Sequence, residues 1–114
     1  MRTPVNALTA TEMKAMQANA GAAVDVLRAL SNETRLMVLC RLGTGEKSVS
    51  ELNALVGLSQ SALSQHLAKL RVEGLVATRR EAQTIYYRIA DARVTRLVTT
   101  LHGIFCKSTE GRKK

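Results

Sequence analysis

Residues 48–89 restrict the fold of this chain more than any other stretch. Ser48 to Glu51 has the S-x-x-E spacing of a capping box and starts a short helix carrying Leu52, Leu55 and Val56, which Gly57 closes. Leu58 follows, and Ser59 caps a further helix that is expected to run to Glu73 before stopping at Gly74. Leu63, Leu67 and Leu70 are its inward positions. Two short helices joined by a glycine-containing turn, the second well capped, make a helix-turn-helix. At Leu75 the period changes. Leu75–Arg79 and Thr84–Ile89 are β-prone runs, and the polar stretch Arg80-Glu81-Ala82-Gln83 between them suits a hairpin loop. That hairpin is a wing.

The flanks supply the rest of the architecture. Residues 1–10, with Pro4, are read as a loose arm. Met13, Met16, Ala20, Val24, Leu27 and Leu30 then recur at intervals of three and four, an apolar helix stripe interrupted by Gly21. Ser31 is the expected N-cap of the next helix, with Glu33 in its first turn, Leu36, Leu39 and Cys40 on its apolar face, and Gly43 at its end. Residues 43–47 are expected to be a loop. Asp91 is expected to cap a last helix reaching to about Cys106, with Val94, Leu97, Val98, Leu101, Ile104 and Phe105 as its stripe, and residues 107–114 form a flexible basic tail. The expected fold is mainly α with a β-hairpin wing, in the order α-α-α-α-β-β-α, as one domain over 11–106. Phe105, Tyr86 and Tyr87 are the aromatic residues, so the core must be aliphatic.

Charge narrows the partner. Seventeen Lys and Arg against nine Asp and Glu give a net charge of +8, which concentrates polyanions at the surface, although part of the excess lies in the tail. No continuous apolar run approaches the length of a membrane span, and the N-terminus lacks a signal-like apolar stretch, so a cytoplasmic protein with reduced thiols is expected. On the second helix of the helix-turn-helix, Gln60, Ser61, Ser64, Gln65 and Ala68 face outward, and the capping Ser59 is a further candidate DNA contact. Glutamine pairs bidentately with adenine in the major groove, and serine hydroxyls serve bases or phosphates. The same residues would also solvate an ordinary amphipathic helix. Arg79, Arg80 and Arg88 put cations on the hairpin, suited to phosphate contact or the minor groove. His66 fits a DNA contact or a packing role equally well.

Cys40 and Cys106 stand 66 positions apart. Free cysteines are commonly small core hydrophobes. His102 and Lys107 near Cys106 favour a thiolate, whereas the C-terminal end of a helix opposes it, leaving the sign of the shift open. A thiol enzyme built on Cys106 and His102 would lack an orienting carboxylate and an oxyanion-donating loop, so no enzyme activity is expected.

The order of elements, with the segments Leu30-Ser-Asn-Glu-Thr-Arg-Leu36, Leu58-Ser-Gln-Ser-Ala-Leu-Ser-Gln-His-Leu67 and Leu70-Arg-Val-Glu-Gly-Leu-Val76, resembles the ArsR/SmtB family of bacterial repressors across roughly residues 20–106. The resemblance implies a homodimer joined through the first and last helices, bound to double-stranded operator DNA of imperfect palindromic sequence and released by a chemical signal. Metal-sensing members place cysteines on the first helix of the helix-turn-helix, where this chain has Ser48-Val-Ser-Glu-Leu-Asn-Ala-Leu55. Others begin the last helix with Asp-x-His, where it has Asp91-Ala-Arg93. No metal site and no cofactor are expected. Cys40 in Arg35-Leu-Met-Val-Leu-Cys40 and Cys106 in Ile104-Phe-Cys106 resemble the BigR/SqrR/HlyU-like thiol-sensing branch. That resemblance implies that persulfide, polysulfide or an oxidant joins the two thiols in a sulfur bridge within one protomer. An HlyU-like anti-repressor that displaces another DNA-bound protein, or a metal-responsive repressor, are the alternatives it leaves.

Overall fold

The computed structural model describes residues 8–111, with side chains described through residue 106. Helix α1 spans Ala10–Leu30, α2 Glu33–Leu42, α3 Val49–Val56, α4 Gln60–Val72 and α5 Ala92–Gly111; strands are β1 Lys47–Ser48, β2 Val76–Glu81 and β3 Thr84–Ile89. The expected arm over 1–10 and tail over 107–114 lie largely outside the described residues. Where the chain is described at those ends it is already helical at Ala10, and α5 continues past Cys106.

Local capping sets the helix boundaries. Thr9 and Glu12 form a reciprocal box at the start of α1, with bonds of 3.0 and 2.8 Å. Ser31 does not cap α2. It ends α1, its N–H and hydroxyl both donating to the Arg28 carbonyl, while Asn32 has the extended backbone a cap requires and accepts from Arg35 N–H at 3.0 Å. Arg35 then ties the two helices together by donating from Nε to the Ala29 carbonyl at 3.0 Å. Ser48 and Glu51 form the expected box at α3, and Gly57 closes that helix in the left-handed region at φ 70°.

The wing is larger than the sequence suggests. Lys47, expected in the loop, instead forms a short strand with the capping Ser48, Lys47 opposite Tyr87 and Ser48 opposite Tyr86, so the sheet is three-stranded and antiparallel in the order β1-β3-β2. Arg80 and Glu81 belong to β2, because pairing continues from Val76↔Ile89 out to Glu81↔Thr84. The hairpin loop is only Ala82-Gln83, and Ala82 takes φ 57° as a two-residue hairpin demands.

The core is aliphatic. Val38, Leu39, Leu52, Leu63, Leu67, Leu70 and Val94 are fully enclosed, and Tyr87 and Ile89 of β3 pack against them. On α2 the enclosed face is Val38, Leu39 and Leu42, with Leu36 and Cys40 at its margin. The stripe read on α1 divides in the structure. Val26, Ala29 and Leu30 are buried, whereas Met13, Met16, Val24 and Leu27 stand 45–52% exposed. On α5, Val94 and Val98 enter the core but Ile104 and Phe105 are 64% and 77% exposed. Periodicity locates an apolar face without saying which surface it meets, and among the described residues these faces are only partly covered within one protomer.

Candidate DNA-binding surface and cysteine pocket

Helix α4 is the element that displays polar side chains on a rigid support. Leu63, Leu67 and Leu70 anchor one face in the core, leaving Gln60, Ser61, Ser64, Gln65 and Ala68 exposed on the other. Ser59 is also exposed, but its hydroxyl oxygen caps the helix by accepting from Ala62 N–H at 3.2 Å, so it orients α4 before it contacts anything else. His66 is half-buried between these faces.

The three wing arginines do not form one cluster. Residues directly opposite each other in an antiparallel pair share a face. Arg79 opposite Tyr86 and Ala77 opposite Arg88 therefore put Arg79 and Arg88 on one side, and Arg80 opposite Ile85 on the other. Arg79 is committed within the protein. It donates from Nε and Nη2 to Glu46 at 2.9–3.0 Å and from Nη1 to Glu81 at 2.8 Å, and its guanidinium carbon lies 4.6 Å from the Tyr86 ring centre. These hydrogen bonds hold the Glu46 carboxyl below its ordinary range, with the nearby charges of Arg79 and Arg88 adding to the effect. Arg80 and Arg88 are exposed and make no ion pair among the described residues. Glu46 lies 33 residues from Arg79, so no sequence signal marked the pairing.

The two cysteines meet between α2 and α5. Both are half-buried free thiols lining a groove of about 470 Å³ with Leu36, Met37, Arg41 and Thr44 on one side and Leu101, His102 and Phe105 on the other. Gly43 ends α2 against its own last turn, where a Cβ would sit 3.1 Å from the Cys40 carbonyl oxygen, while Val98 of α5 would lie at ordinary contact distance, 3.7 Å. Burial raises the pKa of Cys40, proximity to Cys106 raises it further, and Arg41 opposes both. Arg41 Nε is itself buried with no acceptor among the described residues, an arrangement that costs about 1–3 kcal/mol for a donor left unmet. The sequence reading passed over Arg41, although a cation adjacent to a cysteine was visible in it.

Among the described residues no group of three His, Cys, Asp or Glu is placed to hold a metal ion. Asp91, which starts the last helix, accepts from the Arg93 backbone at 2.9 Å and pairs with its guanidinium at 2.6 Å; the side-chain bond is the main reason its carboxyl sits below the ordinary range. No helix of the described residues is long and apolar enough to cross a membrane.

The pattern of the bacterial regulatory proteins of the arsR family matches residues 32–78, from the N-cap of α2 into β2. The chain is 46% identical over 98 residues to the transcriptional activator HlyU of Vibrio cholerae, covering 86% of this chain and 91% of that protein. This chain belongs to the arsR family. The crystal structure of the transcriptional repressor BigR from Xylella fastidiosa superposes with a TM-score of 0.79 at 41% identity, over 82% of this chain and 96% of that one. A homodimeric winged helix-turn-helix DNA-binding domain from Mycobacterium bovis superposes at 0.66 and 32% identity, over 84% and 93% of the two chains. As an arsR-family member the protein is a DNA-binding transcriptional regulator, with α3 and α4 as the helix-turn-helix and β2–β3 as the wing.

Proposed function

We propose that this protein is a thiol-controlled repressor. In this reading a homodimer with reduced cysteines occupies an imperfect palindromic operator in the cytoplasm, and a reactive sulfur species or oxidant that bridges Cys40 to Cys106 releases it. One observation carries the proposal: two cysteines 66 positions apart line a single groove between the helix-turn-helix core and α5. The exposed stripes of α1 and α5 support the dimer, since apolar faces of this extent are normally covered by a second copy. In such a dimer the two α4 helices enter successive major grooves about 34–36 Å apart.

The chemistry balances with a sulfane-sulfur donor as the oxidant. One cysteine thiolate attacks HS–SH, its S–S bond breaks, and Cys–S–SH forms while HS⁻ leaves with the electron pair. The second thiolate attacks the inner sulfur of that persulfide, closing Cys–S–S–Cys and expelling a second HS⁻. Two thiols are oxidised and the donor is reduced to two hydrosulfides. If both cysteines are persulfidated first, they condense to a trisulfide with loss of H₂S. A bridge of either length joins α2 to α5, and α5 carries part of the exposed apolar surface. Operator affinity changes by the differential free energy of this linkage.

The test is operator affinity by fluorescence anisotropy at fixed salt, before and after treatment with sodium tetrasulfide. Affinity should fall about 5–150-fold and return with reductant, the range of couplings of ~1–3 kcal/mol. Cys106→Ser should bind as the reduced wild type does and show no loss on treatment. A normal response from Cys106→Ser would sink the two-thiol mechanism.

The same assay separates the wing arginines. Arg80→Ala should weaken binding across all DNA sequences and lower the slope of log affinity against log salt by about 1. Arg79→Ala should change that slope less, because Glu46 and Glu81 already neutralise its charge. Equal slope changes for the two variants would show that Arg79 leaves its carboxylates to reach phosphate.

A second reading has a specific observation behind it, because the Vibrio cholerae relative is named an activator. If this protein displaces another DNA-bound protein, deleting its gene lowers target expression; for a repressor, deletion raises it.

A further inference from the structure

The groove that holds the two thiols is apolar apart from a few groups, and one of those is a cation with no counter-ion among the described residues. Leu36, Met37, Leu101 and Phe105 form most of its wall. Arg41 lines the same space, its Nε is buried without an acceptor, and it makes no ion pair among the described residues. No carboxylate of the described residues lines the groove. A guanidinium is charged at any relevant pH, donates up to five hydrogen bonds and accepts none. A soft, polarisable body between apolar walls, carrying one negative end for the guanidinium, is the chemical complement of this space. A hydropolysulfide anion, HSₓ⁻, has that form.

We infer that Arg41 is a specificity-determining residue of the cysteine groove, binding the anionic end of an inorganic polysulfide and so favouring it over uncharged thiol oxidants. The inference rests on the thiol-control reading given above and names the class of inducer that reading leaves open. It also gives Arg41 a role in the first chemical step. When a cysteine thiolate attacks HS₄⁻, the products are Cys–S–S⁻ and HS₃⁻. The S–S bond that breaks sends its electron pair onto the leaving trisulfide, and total charge is conserved. Both the incoming donor and the leaving group are anions, so a fixed cation beside the thiols assists entry and departure of negative charge alike.

Arg41 also acts on Cys40 directly, since its charge favours the thiolate. That effect would raise reactivity towards every oxidant, whereas binding of an anion raises it towards anions alone. The two are separated by comparing sodium tetrasulfide with diamide, an uncharged two-electron oxidant that converts a thiol pair to a disulfide and is itself reduced to a hydrazine. Rates of thiol loss and bridge formation are followed by mass spectrometry for the wild type, Arg41→Met and Arg41→Lys. Reduced-state operator binding and circular dichroism verify the fold of each variant.

Arg41→Met should slow the tetrasulfide reaction about tenfold relative to the diamide reaction, a size suited to one charge contact in a partly solvated groove. Arg41→Lys should restore most of that ratio, and Arg41→Gln, which removes the charge but keeps a polar end, should show the same tenfold change and replaces the methionine variant if that protein does not fold. An unchanged tetrasulfide-to-diamide ratio in Arg41→Met overturns the inference, whether both rates fall together or neither falls. If the wild type forms no Cys40–Cys106 bridge with either oxidant, the underlying thiol-control reading falls first, an outcome visible without any variant.

Discussion

Leu27→Glu protein is expected to sediment as a monomer at micromolar concentration and to lose operator affinity at least about a hundredfold, as follows from burying an unpaired charge in a seam. Leu27 stands 52% exposed on α1, in line with Met16 and Val24, and shares a groove of about 410 Å³ with Arg93 and Leu97 of α5. Within a protomer a glutamate there remains wetted, so the fold itself should survive. In the proposed two-fold dimer the same position would be covered, and the substitution would enter the interface twice. Arg93 is already paired with Asp91, so a glutamate covered at this position is left uncompensated, at a cost of about 3–5 kcal/mol. Each 1.4 kcal/mol is a factor of ten in a dissociation constant, so even one copy raises that of the dimer by two orders of magnitude or more. Operator affinity follows, because a monomer engages one half-site only. Sedimentation velocity and anisotropy on the same preparation check both parts. A dimeric Leu27→Glu protein would show that the exposed stripe of α1 is not the interface.

The second large effect is on stability. Leu67→Ala should lower the unfolding free energy by about 2–5 kcal/mol, from lost transfer energy and the cavity left behind. Leu67 is 1% exposed and sits between Leu63 and Leu70 on the inward face of α4. A domain of this size is typically stable by only ~5–15 kcal/mol, so the change consumes a sizeable fraction of the whole. It should lower the melting temperature by about 10 °C or more. Urea unfolding measures the change directly, and a loss below about 1 kcal/mol would contradict the enclosed core position. At temperatures where the variant stays folded, the exposed face with Ser64, Gln65 and Ala68 is unaltered, so operator binding should decline far less than stability.

What the sequence disclosed follows the range of the interactions involved. The Ser48–Glu51 box and the Ser59 cap are three-residue affairs, and both stand as read. The inward leucines of α4 were equally plain, because period and caps agreed. Ser31 and Asn32 are adjacent polar residues of the same capping class, and only the backbone angles distinguish the cap from the end of the preceding helix. Non-local facts were hidden. Nothing in the Lys47–Ser48 dipeptide announces a strand, since its pairing depends on where Tyr86 and Tyr87 arrive. Arg79 reads as a free cation until Glu46 comes beside it. The meeting of Cys40 with Cys106 was legible only through the resemblance of their settings, because 66 intervening residues carry no local signal of closure.

Ser48 has a consequence for how such a molecule can be switched. Its backbone belongs to β1 and faces Tyr86 of the wing, while its hydroxyl, almost fully enclosed, caps α3. Wing and helix-turn-helix are thereby pinned at one residue, and neither can swing alone without breaking a strand bridge or unseating a cap. Each protomer therefore behaves as one stiff jaw of a calliper. A signal at the far end of α5 need not reshape the jaw that touches DNA. In the proposed dimer it would act by resetting the gap between two jaws, where a few ångströms of misfit against a fixed helical repeat would suffice to lose the second grip.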